Sequence, residues 1–62
     1  MARYTGTSDN SDFNEALLLA IAAAKEGLGS DFVTWVLLVV TGANGGFAGQ
    51  NDLTVEIEAT VP

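Results

Sequence analysis

The chain has 62 residues, eight acidic side chains against Arg3 and Lys25, a formal charge of −6, and neither cysteine nor histidine. This composition excludes disulfides and thiolate metal sites, Ser–His and Cys–His nucleophiles, and a surface able to neutralise the phosphates of a nucleic acid or an anionic membrane. A catalyst would have to work with carboxylates, Tyr4 and Lys25 alone, so a non-enzymatic role is expected, and so short a domain needs partner subunits to complete its core.

Residues 3–7 read as a short first strand, weakened by Gly6. Ser8, Asp9, Asn10, Ser11 and Asp12 form a run of helix-capping residues, from which the helix starts at Ser11 or Asp12; Asp12 and Glu15 have capping-box spacing. The helix continues through Ala- and Leu-rich sequence to Lys25 and Glu26 and stops at Gly27 or Gly29. Phe13, Leu17, Ala20, Ile21, Ala24 and Leu28 recur at helical spacing as one apolar stripe. Leu18, Leu19, Ala22 and Ala23 widen that stripe beyond what a lone surface helix carries.

Residues 32–40 are apolar, β-branched and uncharged, which favours a strand. Strict alternation puts Thr34, Val36, Leu38 and Val40 on one face and Val33, Trp35, Leu37 and Val39 on the other. Both faces are apolar, and one helix covers only one, so the segment is expected to lie in an assembly. The glycine-rich stretch 41–52 follows, with Asn44-Gly45 as a two-residue turn signal for a hairpin. Residues 53–61 then alternate, Leu53, Val55, Ile57, Ala59 and Val61 against Thr54, Glu56, Glu58 and Thr60, as in a half-buried antiparallel strand. The expected fold is α+β, in the order β-α-β-β: a three-stranded antiparallel sheet packed around one helix, in a single domain covering residues 1–62.

Neither apolar run, 16–24 or 32–40, approaches the ~20 residues of a membrane helix, and residues 1–8 have no signal-peptide core. A soluble, cytoplasmic protein is expected. The glycine loop precedes a strand and not a helix, so it reads as a hairpin and not as a phosphate cradle. Asn44, Asn51 and Asp52 read as turn formers before cation ligands. Glu56 and Glu58 share a strand face and read as solvated side chains before ion ligands or an acid–base pair. Trp35 is either core or a stacking surface for a planar ligand, with Thr41, Gln50 and Asn51 as hydrogen-bonding groups near such a pocket.

Thr5-Gly6-Thr7-Ser8, then Ser11 and Phe13, Glu15-Ala16, Ala20-Ile21, and Trp35 ahead of a hairpin and an alternating last strand resemble the dodecins. The resemblance runs through nearly the whole chain. It implies a hollow homododecamer that binds flavin (FMN, riboflavin or FAD) between subunits and stores it without catalysis. It also implies that Trp35 stacks on the flavin ring and that Gln50 hydrogen-bonds its polar edge. Leu18, Leu19, Ala22 and Ala23 depart from the family, where this helix face carries charge. The other function class open to the chain is a structural or interaction module without a ligand, with Trp35 in the core and Leu18 and Leu19 against partner subunits.

Overall fold

A computed structural model describes residues 2–46 and 49–62. The elements are β1 (Ala2–Ser8), α1 (Phe13–Leu28), β2 (Thr34–Gly45) and β3 (Gln50–Thr60). The three strands form one antiparallel sheet in the order β1-β3-β2, so the last strand lies in the middle and β2 at an edge. The β-α-β-β order and the small α+β class agree with the sequence.

Asp12 caps the helix: its backbone is extended and its Oδ1 accepts from the Glu15 amide at 3.2 Å. Only half of the expected capping box forms. Glu15 does not return to the Asp12 amide; both turn instead to Ser8 Oγ, which accepts from Asp12 N at 3.1 Å and donates to Glu15 Oε1 at 2.7 Å. The helix ends at Gly29, whose φ of 65° is the left-handed region that glycine enters without a Cβ penalty. There the Gly29 and Ser30 amides donate to the carbonyls of Glu26 and Lys25, closing the last turn.

Helix and sheet meet through small residues. Ala16, Ala20 and Ala24 are fully buried, with Val55, Ile57 and Ala59 of β3 opposite, and Tyr4, Leu17, Ile21, Leu28, Val33 and Leu53 pack around them half-buried. The apolar stripe is thus centred one row away from its sequence-based position, and Phe13 is 43% exposed. The cause is the approach at Gly6, where a Cβ would strike Ala16 O and come within 2.5 Å of Ala20 N. Only alanines on the helix and glycine on the strand allow that spacing.

The helix packs on β1 and β3 and leaves β2 out. All twelve residues of β2 are exposed, so its helix-side face as well as its outer face is uncovered. β2 also breaks the alternation read from sequence. Leu37 pairs with Ile57 and Val39 with Glu56, leaving Leu38 as an inserted residue. One extra residue in a strand reverses the facing of everything beyond it. Trp35, Leu37 and Val40 therefore share the helix side with Ala59, Ile57 and Val55, while Val36 and Val39 face outward with Glu58 and Glu56. The expected grouping of Leu38 and Val40 with Val36, and of Val39 with Trp35, is corrected accordingly.

The hairpin turn also lies further on than Asn44-Gly45. Both residues belong to β2, paired with Asn51 and Gln50, and the chain reverses between Gly46 and Gly49. Phe47 and Ala48 lie outside the described residues.

Candidate functional site

Trp35 is the second residue of β2 and pairs with Ala59. Its position on the helix side of an edge strand that the helix does not reach leaves it 39% exposed, beside Leu37 at 40% and Val40 at 44%. Trp35 is therefore outside the buried core of this chain, and the three side chains make an uncharged apolar strip along β2. A flat indole on such a strip suits stacking against a planar, weakly hydrated ring.

Gln50 stands elsewhere. It is the first residue of β3, pairs with Gly45, and its Nε2 donates to Asp52 Oδ2 at 2.9 Å. Gly45 lies ten residue steps along β2 from Trp35, roughly 30 Å at strand rise. The regular β3 register also puts Gln50 on the outer face, with Thr54 and Glu56, while Trp35 lies on the helix side. One chain does not bring these two side chains together.

Thr41 and Asn51 also part: Thr41 faces outward opposite Thr54, and Asn51 lies on the helix side opposite Asn44. Asn51 belongs to a polar knot. Asn44 Nδ2 donates to Asn51 Oδ1 at 2.6 Å and to Ser11 Oγ at 2.9 Å, and Ser11 Oγ donates to Asn51 Oδ1 at 2.6 Å. The Ser11 amide donates to the Asn51 carbonyl at 3.1 Å, and Ser11 itself has φ 52°. These groups, read from sequence as turn formers or cation ligands, fasten the helix start to the far end of the hairpin. Among the described residues no group of three or more acidic side chains is arranged to hold a metal ion, and the chain encloses no cavity.

Ser8, read from sequence only as a member of the capping run, carries more than that. It is fully buried, accepts from the amides of Asn10 and Asp12 at 3.1 Å each, and donates to Glu15. Its membership of the capping run Ser8 to Asp12 was the available signal. Its depth became visible only with β1 docked on the helix.

On the outer face Glu56 and Glu58 are half-buried between strands, with Thr5 and Arg3 opposite on β1 and Val39 and Val36 opposite on β2. No helix among the described residues is long and apolar enough to cross a membrane. Comparison of the chain with protein-family models, with curated proteins and with solved structures found no match.

Proposed function

We propose that the chain is a dodecin-like homo-oligomer that binds a flavin (FMN, riboflavin or FAD) on Trp35 and stores it without chemical conversion. The observation that carries this reading is the exposed indole of Trp35 on an apolar strand face that the chain's own helix leaves open. Stacking of an isoalloxazine ring on an indole buries two flat apolar surfaces and brings an electron donor against an excited-state acceptor, which quenches flavin emission. Assembly supplies the rest of the enclosure, because the described residues of a single chain enclose none. Gln50 serves a ligand at Trp35 only if a neighbouring copy presents it, given the separation within one chain. Titration of riboflavin or FMN with micromolar protein tests the proposal: quenching that saturates is expected, and unchanged flavin fluorescence overturns it.

A second reading is an oligomeric structural or interaction module with no small-molecule ligand. Leu18 and Leu19 favour it, large apolar helix side chains left exposed by 55% and 48%, Leu19 beside the contact with Gly6 of β1. Two measurements separate the readings: loss of flavin quenching in Trp35→Ala with assembly intact supports storage, and an unaltered protein that assembles without quenching flavin supports the module.

A further inference from the structure

β2 combines three properties that edge strands normally avoid. It is twelve residues long, it holds no proline or charged side chain, and it is apolar on both faces over residues 35–40. Edge strands are usually shortened, charged or covered because their free amides and carbonyls recruit other strands. The opposite edge, β1, is protected in this way: it has seven residues and carries Arg3. We propose that β2 pairs antiparallel with β2 of a second copy about a two-fold axis, joining two three-stranded sheets into one of six strands. The inference rests on the homo-oligomer half of the proposed function and not on its ligand.

The inserted Leu38 fixes the register. Directly opposed residues of an antiparallel pair share a face. Pairing Val36 with Val39 of the second copy sets outward side chain against outward side chain. In the same register Trp35 meets Val40, both on the helix side, and Thr34 meets Thr41, both outward. Leu37 meets the inserted Leu38 next to the axis. A strictly alternating strand could not do this, since positions 36 and 39 would then face opposite ways. The ladder over residues 34–41 is thus self-complementary, apolar against apolar and threonine against threonine, only because of the bulge that the structure shows.

Charge and closure favour a second copy as the occupant. The chain carries −6 overall, yet none of that charge lies on β2, so two copies meet where their repulsion is least. Phe32, Trp35, Val36, Leu37, Leu38, Val39 and Val40 are 39–64% exposed. Pairing in the sheet plane covers the flanks of these side chains and leaves both faces open, so the contact rests chiefly on the free amides and carbonyls of the edge. A same-edge pairing also closes on itself, whereas β2 against β1 of the next copy would propagate without end.

The chain has no native cysteine, which makes the register directly testable by cross-linking. Val36→Cys and Val39→Cys are prepared as separate proteins, mixed, and oxidised, with circular dichroism confirming that both fold. Opposed Cβ atoms in such a ladder lie about 4.5–5.5 Å apart, near the reach of a disulfide. The expected result is a covalent dimer from the mixture, at least tenfold more than from either variant alone, and none from Val36→Cys mixed with Thr41→Cys. Equal cross-linking in all mixtures, or none while native mass shows an oligomer, overturns the strand pairing and leaves the oligomer standing. A monomeric mass at every concentration overturns both, and the flavin titration reports on the ligand independently.

Discussion

Gly6 and Ala16 meet backbone to backbone: a Cβ at Gly6 would land on the Ala16 carbonyl oxygen. That contact sets how deeply the helix sits on the sheet, and Ala20 and Ala24 extend the same small-residue face toward the Tyr4 end of β1.

Gly6→Ala is expected to be the most damaging single-methyl change in the chain. The neighbours are backbone atoms of a helix, which cannot turn aside as a side chain can. Overpacking of this kind costs about 1–3 kcal/mol, and more where backbone must shift. Urea unfolding followed by far-ultraviolet dichroism measures it; a change under about 0.5 kcal/mol would show that the close approach is not required.

Gly29→Ala isolates the other way a glycine matters. A Cβ there meets nothing within 4 Å, and the φ of 65° is the whole difficulty. The expected loss is about 1 kcal/mol, the conformational cost of a left-handed alanine. The same unfolding experiment should therefore rank Gly6→Ala clearly above Gly29→Ala.

Ser8→Ala removes the only side-chain oxygen that the Asn10 and Asp12 amides use in common and takes the hydroxyl away from Glu15. Amides that are part-buried and lose a partner cost up to roughly 1–3 kcal/mol, less where water reaches them. Loss of stability of that size is expected, together with faster amide exchange at the helix start. Ser8→Thr, which keeps the hydroxyl, is the control for the bond as against the space.

Trp35→Ala should weaken riboflavin quenching by roughly tenfold or more, a loss of about 1.4 kcal/mol for each decade. Because the indole lies outside the buried core, the helix signal in dichroism should persist. Persistent quenching in this variant would remove Trp35 from the binding site.

Raising the ionic strength should strengthen self-association. Copies carrying −6 each repel at long range, and added salt shortens the range of that repulsion while leaving the uncharged β2 surface unaffected. Sedimentation at low and high salt measures it, with dissociation by salt as the contrary result.

Much of the fold was legible because its signals are local. Capping residues from Ser8 to Asp12 and glycines after Glu26 mark the helix, and the alternation from Leu53 to Ala59 marks the central strand together with its buried face. Trp35 was legible as a candidate for stacking by residue type. Its distance from Gln50 was not, because the hairpin extends to Gly45 and Gln50 and so carries the glutamine to the far end of the sheet. No local pattern announces how far two strands stay paired through glycines, since pairing depends on the partner strand.

By itself, then, the sequence determined the order of elements, the amphipathic β3, the absence of thiol and imidazole chemistry, and an apolar β2 that one helix cannot cover on both faces. Only the tertiary structure decided that the helix covers neither face. With the sheet ordered β1-β3-β2 and Gly6 drawing α1 onto β1, the helix lies over β1 and β3 and falls short of the edge. The structure also decided which side chains share a face of β2, because a bulge at Leu38 is a matter of register between two strands. Periodicity within one strand carries no information about the residue opposite, and register is set by contacts with a different strand, here Leu37 with Ile57 and Val39 with Glu56.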